Sequence, residues 1–520
     1  MKIKKLAVSH SLSSLVAGLG FLVVFCVGLI GCSTNSESPG EASKPLPRLS
    51  GRTASLESGG TYRYDRGILS VPENRGRQSA RSIDLEFHRL PWTGEGSGKV
   101  PPIFILKGGP GFEGLEDDLA RVGYYEFFLE RYTRLADVVV VGQRGFGNSG
   151  PLPCPDLPSV SIDQVDSARE RHARLRSGMQ VCRRLYEDQG VDLSGYNVVE
   201  MAHDVAAVAN ALGYEKIQLV GNSFGSHWGM AILREYPQLV SRVTFSALEG
   251  PDHTFDHPLE VDAALRRIAD AARPGEGQND QPATPNLLNR FRGVVSTAEL
   301  SPMPVQWQPD EENPAWEILL DGDALRLLSR GYSRGTTWRY LMPAWPQDLE
   351  TMIEGNFYGG VRRLTRWWLS NEMDSAAYFS VECGSGISAT RAADIAASTG
   401  ASASSVNALL AGGHCDAWPS DLGPDFREPF ETDTPALLIH GDWDTSTPIE
   451  NAAVVRSMFS DHHFVVIRGG SHGAWREAEE SSPEFQQAVL AWIATGSAER
   501  LPQSLSLPPL TFLPAGQNTD

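Results

Sequence analysis

Short runs of apolar residues recur along the chain, each closed by Gly, Pro or Asp. They occupy residues 67–71, 83–90, 103–106, 138–141, 217–220, 243–246, 436–440 and 463–467. Several are continuous, such as Val138-Val139-Val140-Val141, with no polar residue between the apolar ones. A strand with one wet face alternates, so continuous runs predict strands buried on both faces, as in a parallel sheet. Helical spacing separates them. Val205, Val208, Ala209 and Leu212 share one face of a helix over 201–212, and 226–236 and 483–495 predict helices too. Strand alternating with helix predicts an α/β fold, a mostly parallel, doubly wound sheet.

One interval breaks this alternation. Residues 252–430 show no clear strand run, and helical patterns dominate at 259–272, 316–329 and 349–356. The interval predicts a mainly helical cap inserted between two late strands. It holds seven of the twelve Trp, for most of which core packing is the better reading. The cap divides the α/β core into a first part, 60–251, and a second, 431–497. Residues 498–520 then read as a C-terminal tail.

The N-terminus carries a different pattern. Lys2, Lys4 and Lys5 precede a stretch without any charged residue up to Gly31. A basic start followed by an apolar run is a secretory leader. It ends Leu29-Ile30-Gly31-Cys32, which resembles a bacterial lipobox. That resemblance implies a lipoprotein signal peptide over 1–31, with Cys32 lipidated and becoming the new N-terminus. The alternative is an uncleaved membrane anchor of minimal length. Both put the remainder outside the cytoplasmic membrane, as an extracytoplasmic protein of the cell envelope attached to the membrane. Residues 32–59 begin Ser, Pro and Glu rich and read as a flexible tether.

Composition narrows the partners. The formal charge is −19, and loss of the three leader lysines makes it more negative. Such a surface repels phosphate backbones, so nucleic acid is not an expected partner. Beyond Cys26 and Cys32 four cysteines remain, Cys154, Cys182, Cys383 and Cys415. An even number in an oxidising compartment points to two disulfides. Of the three connectivities, local pairing of Cys154 with Cys182 and Cys383 with Cys415 is preferred. Each would close a loop of roughly 30 residues and contribute about 3 kcal/mol. Free buried thiols are the alternative. No Cys-x-x-Cys pair occurs, so no metal site is expected.

Gly221-Asn222-Ser223-Phe224-Gly225 matches Gly-x-Ser-x-Gly, and so does Gly469-Gly470-Ser471-His472-Gly473. The motif alone is weak. Context separates the two: Ser223 follows a strand and precedes a helix, the strand–turn–helix of a nucleophile elbow. Ser471 precedes no comparable helical pattern. A serine hydroxyl needs a base to take its proton. His472 lies just beyond the last strand run, whereas His462 and His463 lie at its start and His440 inside another. The acid that orients the base should follow the preceding strand. Asp442 and Asp444 compete there; Asp442 can cap the turn, and Asp444 has more loop with which to reach. The catalytic set is therefore Ser223, Asp444 and His472. Two donors for an oxyanion are expected from the backbone N–H groups of Phe224 and of Gly109, in the loop Lys107-Gly108-Gly109-Pro110-Gly111.

These motifs occur in one order with Gln143-Arg144-Gly145-Phe146-Gly147-Asn148-Ser149 and Val71-Pro72-Glu73-Asn74-Arg75. In that order the chain resembles the prolyl and tripeptidyl aminopeptidases of the α/β-hydrolase family. Cys383 and Cys415-Asp416-Ala417-Trp418 resemble the tripeptidyl branch. The sequence departs from the family at Lys107, where His is usual, at Gly142 for Asp, at Phe224 for Tyr, and at Ser385 for an acid. The resemblance implies the α/β-hydrolase fold, peptide substrates, and a serine aminopeptidase that needs no cofactor. An aminopeptidase must hold a free α-ammonium, which takes a carboxylate. Glu249, Glu354, Glu372, Asp374 and Glu382 are the candidates. An esterase or amide hydrolase on the same triad is the alternative. A non-catalytic binding lipoprotein is a third reading.

Overall fold

The structure is a computed structural model. It describes residues 46–55, 61–77, 81–95, 100–111, 115, 131–154, 167–272, 287–308, 315–330, 336–369, 375–404 and 413–513. The leader, Cys32 and the first part of the tether lie outside the described residues, as do Glu372 and Asp374.

The strands are β1 (Arg48–Ser55), β2 (Thr61–Pro72), β3 (Ser82–Leu90), β4 (Ile103–Leu106), β5 (Val138–Val141), β6 (Ile217–Asn222), β7 (Val240–Ser246), β8 (Met303–Trp307), β9 (Trp316–Leu320), β10 (Ala436–Gly441), β11 (His462–Arg468) and β12 (Ser504–Ser506). Ten of them form one sheet in the order β1-β2-β3-β5-β4-β6-β7-β10-β11-β12. The pairings from β5 through β12 are parallel, and β1 to β3 add an antiparallel edge that ends on β5. The central strands β4, β5 and β10 are short and apolar because both of their faces are covered. Phe104, Leu106, Val139 and Val141 pack into one core, and Ile103, Ile105, Val138 and Val140 into the other.

Helices follow in chain order. α1 (Ala168–Asp188), α2 (Val198–Ala211) and α3 (Phe224–Glu235) cover the first face. The cap interval holds α4 (Pro258–Ala271), α5 (Leu287–Leu300), α6 (Gly322–Ser329), α7 (Trp345–Ile353), α8 (Tyr358–Leu369), α9 (Ala376–Ser385) and α10 (Ala389–Thr399). After it come α11 (Ala452–Met458), α12 (Ala474–Ser481) and α13 (Pro483–Thr495). Residues of α12 and α13 close the second face. Among the described residues no helix is long and apolar enough to cross a membrane.

Residues of α4 to α8 build a core of their own around Leu265, Phe291, Leu325, Trp345 and Leu349. Helix α9 does not join it. Ala376, Phe379 and Val381 pack instead with α1 and α2 on the main sheet. The disulfides Cys154–Cys182 and Cys383–Cys415 form, the local pairing expected.

Three expectations are corrected. The cap is not free of strands: β8 and β9 pair as an antiparallel hairpin, with Trp307 opposite Trp316. The helix expected over 316–329 is therefore a strand followed by α6. Asp321 separates them, its carboxylate accepting from Ala324 N–H at 2.8 Å. A five-residue apolar run fits either period, and the hairpin partner decides it. The tether is not flexible throughout, since β1 runs antiparallel along β2 from Arg48 opposite Ile68 to Ser55 opposite Thr61. Such an edge strand is held by backbone hydrogen bonds and needs little apolar pattern. The C-terminal tail likewise contains β12, which pairs parallel with β11. Farther along, Leu513 N–H donates to Pro343 O at 2.9 Å. Three residues of strand are too few to leave a periodic signal.

Candidate active site

The strands β6, β7, β10 and β11 end side by side, with Asn222 opposite Ser246 and Ser246 opposite Ile439. Chains leaving the carboxyl ends of parallel strands enclose a crevice, where open α/β sheets bind ligands. Ser223 leaves β6 there, with the one-residue turn before α3 at φ 59° and ψ −131°. A non-glycine residue held at positive φ costs about 1–3 kcal/mol and marks a constrained site. The flanking glycines allow it. A Cβ at Gly225 would lie 2.1 Å from the Leu106 carbonyl oxygen, and one at Gly221 would lie 2.5 Å from the Gly225 oxygen. Serine before a helix normally caps it through its hydroxyl. Ser223 makes no such bond to α3.

Asp444 and His472 come from the loops after β10 and β11. His472 Nδ1 stands 3.0 and 2.9 Å from the two Asp444 carboxylate oxygens. The carboxylate is fully buried and also accepts from Ser446 N–H at 2.8 Å, Thr447 N–H at 3.0 Å and Thr447 Oγ1 at 2.9 Å. Burial alone would push its pKa up, but the adjacent His472 and these donors hold it down at about 2. Burial lowers the His472 pKa; the Asp444 charge and hydrogen bond outweigh it and leave the imidazole raised. Among the described residues no hydrogen bond joins Ser223 to His472. Such bonds are commonly long until substrate arrives.

The competing residues have other partners. Asp442 Oδ1 accepts from Gly469 N–H at 2.7 Å and shapes the turn into the His472 loop. His440 is buried, with Nε2 at 2.7 Å from Thr447 O. Helix α12 does follow Ser471, contrary to the sequence expectation. The short stretch after His472 is too polar to announce it. Ser471 is fully buried and donates its hydroxyl to Glu477.

The loop after β4 passes against the elbow. A Cβ at Gly108 would stand 3.3 Å from Ser223 Cβ and 3.8 Å from its Oγ. Gly109 follows with φ 112°. Phe224 N–H, at the first position of α3, is one of the donors that an α-helix leaves unpaired within itself.

Of the acidic candidates, Glu249 and Glu382 come together and Glu354 does not. Glu354 is exposed at the end of α7. Glu249 and Glu382 are buried at 8% and 6% exposure, and neither carboxylate has a hydrogen-bond partner among the described residues. Burial, then the charges of Glu382 and Asp256, push the Glu249 carboxyl well above its ordinary range. Burial and Asp256 push Glu382 up to about 8. The Glu249 backbone is tied to the elbow: its N–H donates to Ser226 Oγ at 3.0 Å, and Ser226 Oγ donates to Ser223 O at 2.7 Å. Asp256 is the residue that sequence reasoning missed. Its pKa is raised to about 6, by burial first, and its charge reaches Glu249, Glu382 and His472. Arg330 stands 3.4 Å from it. No motif marks Asp256, since only the folded cap brings it beside His472. Trp338 was missed too. Its ring meets His472 edge-on at 5.8 Å, and Thr337 O accepts from His472 N–H at 3.2 Å. Among the described residues no group of three His, Cys, Asp or Glu side chains is arranged to hold a metal ion.

The alpha/beta hydrolase fold family matches residues 101–475. The chain belongs to that family. Two kinds of curated relative resemble it in sequence. The serine protease Hip1 of Mycobacterium tuberculosis is 28% identical over 256 residues, 48% of this chain and 47% of that protein. The tripeptidyl aminopeptidase of Streptomyces lividans is 25% identical over 190 residues, 36% of this chain and 35% of that protein. The matches thus span about half of these relatives or less. Among solved structures, a bromoperoxidase from Bacillus anthracis aligns over 82% of this chain and 99% of its own, at 14% identity and a TM-score of 0.34. The resemblance read from the motifs holds at the level of the hydrolase family and its peptidase relatives.

Proposed function

We propose that this family member is a serine hydrolase of the cell envelope that removes residues or short peptides from peptide N-termini. Ser223 Oγ attacks the scissile carbonyl carbon and its proton passes to His472 Nε2. Asp444 fixes the tautomer and stabilises the imidazolium that forms. The tetrahedral oxyanion accepts from the N–H groups of Gly109 and Phe224. His472 then gives its proton to the leaving nitrogen, the C–N bond breaks, and an acyl ester remains on Ser223. Water, deprotonated by His472, attacks that ester; the new acid leaves and Ser223 regains its proton.

The observation that carries the aminopeptidase reading is the pair of buried carboxyl groups, Glu249 and Glu382, beside the elbow and without hydrogen-bond partners among the described residues. A buried carboxylate is costly unless it is neutralised. Burial favours their protonated forms; a substrate ammonium would take the place of the proton as the neutralising charge, and Asp256 extends the negative field toward the triad. The peptidase relatives support the same reading. Two disulfides suit an oxidising compartment, and the leader with Cys32 suits a lipid-anchored, membrane-attached protein.

The test compares one chromogenic peptide with its N-acetylated form and with a simple acyl ester. The free peptide should be cut at least tenfold to a hundredfold faster than the acetylated one. Equal rates on the two peptides would end the aminopeptidase reading, and a much faster ester would favour the esterase alternative.

A further inference from the structure

The loop that carries Gly109 has few means of holding itself. Gly108, Gly109 and Gly111 offer no side chains, and Gly109 and Gly111 sit at φ 112° and 102°. Gln143, buried at 1% exposure, packs against this loop. Its Nε2 donates to Lys107 O and to Gly108 O, both at 3.1 Å. Its Oε1 accepts from Gly111 N–H at 2.6 Å. One amide therefore holds both ends of the loop.

The bond to Gly108 O has a directional consequence. In a trans peptide the C=O and the following N–H point in opposite directions. With Gly108 O turned to Gln143, Gly109 N–H faces away from it. The elbow lies hard against this stretch, as the close approach of Gly108 to Ser223 records.

Gln143 is itself anchored from the next residue. Arg144 is fully buried and donates to both Asp204 oxygens at 2.7 Å, to Glu73 O at 2.6 Å and to Gly195 O at 2.7 Å. Arg75 donates to the same Asp204 at 2.8 Å and is paired with Glu200. The Gln-Arg pair thus links the loop to α2 and to the turn after β2. That anchorage gives a physical role to two motifs that the triad does not use.

We propose that Gln143 is a positioning residue for the oxyanion site: it holds the Lys107–Gly111 loop so that Gly109 N–H meets the developing oxyanion. This rests on the serine-hydrolase reading. Removing one oxyanion donor outright costs about a hundredfold to a thousandfold in kcat. Misplacing one should cost roughly tenfold to a hundredfold, in kcat and not in KM, because the bond forms only in the transition state.

The experiment compares wild type with Gln143→Met, similar in length without the amide, and Gln143→Glu, which keeps the acceptor and loses both donor bonds. Steady-state kinetics on a free-amine peptide is paired with the affinity of a peptidyl boronic acid and of the product peptide. Thermal melts select whichever variant is folded. The expected result is a fall in kcat of about tenfold to a hundredfold, an equal loss of boronic acid affinity, and unchanged KM and product affinity. Unchanged kcat, or a loss confined to KM, would overturn the proposal while leaving the hydrolase intact. If wild type neither turns over nor labels with a fluorophosphonate at Ser223, the hydrolase reading fails and this inference falls with it.

Discussion

The hydroxyl of Ser471 donates to the carboxylate of Glu477, and the Ser471 N–H donates to the same carboxylate at 2.9 Å. The second Gly-x-Ser-x-Gly motif is thereby committed to joining the His472 loop to α12. Ser223, the serine of the first motif, makes no cap bond to its helix. A fluorophosphonate probe should label wild type and Ser471→Ala, and should not label Ser223→Ala. Ser471→Ala is expected to lose about 1–3 kcal/mol of stability, because it removes one charge-assisted hydrogen bond to the half-buried Glu477 and leaves the carboxylate only its backbone donors. Labelling that survives in Ser223→Ala and vanishes in Ser471→Ala would reverse the assignment.

Activity should follow the charge of His472. The base acts only when neutral, and the Asp444 charge raises its pKa. The acid limb of kcat should therefore lie above the ordinary imidazole value of about 6.5. Asp444→Asn removes that charge, so the limb should move to lower pH while kcat falls by about ten-thousandfold. For a free-amine peptide, kcat/KM should also fall above about pH 8 as the substrate ammonium loses its proton. An acyl ester should show the acid limb and no alkaline one. A pH-rate series on both substrates checks this.

Glu382 directly precedes Cys383, and the Cys383–Cys415 disulfide fixes the helix that carries both. Glu249→Gln and Glu382→Gln should each lower kcat/KM for free-amine peptides by about tenfold to a hundredfold, the worth of one charge-assisted bond. Ester hydrolysis should change little. The double variant Cys383→Ser/Cys415→Ser should lose about 3–4 kcal/mol by the loop-closure argument, and its KM for free-amine peptides should rise. If KM stays at the wild-type value once the protein is confirmed folded, the disulfide does not help to place Glu382.

Gly225→Ala should be poorly tolerated. The added methyl would meet the end of β4 at 2.1 Å, a backbone atom that cannot swing aside. Overpacking of this kind costs about 1–3 kcal/mol, and it would push Leu106 and the Lys107–Gly111 loop away from Ser223. Thermal melts should show the stability loss, and kcat should fall more than KM rises.

The central strands were legible because burial on both faces leaves a continuous apolar run. Ile103–Leu106 and Val138–Val141 fall where the pattern put them, as does the helix Pro483–Thr495. The triad candidates were drawn from the same pattern, because chemistry at the ends of such strands sits a few residues beyond each run, and the structure sets Asp444 and His472 within hydrogen-bond reach of each other. The local cysteine pairing was the preferred one of three connectivities that the sequence leaves open, and the structure forms it. Strands β1, β8, β9 and β12 were not legible, because each is held by a partner strand or a sheet edge and has too short or too polar a pattern to announce itself. The amine candidates show the same limit. Sequence offered five acids of equal standing, and folding of the cap onto the sheet buried Glu249 and Glu382 together, left Glu354 in solvent and brought Asp256 to His472. Periodicity reports which face of an element is covered. Which charge ends beside which depends on contacts between segments far apart in the chain, and only the tertiary structure decides those.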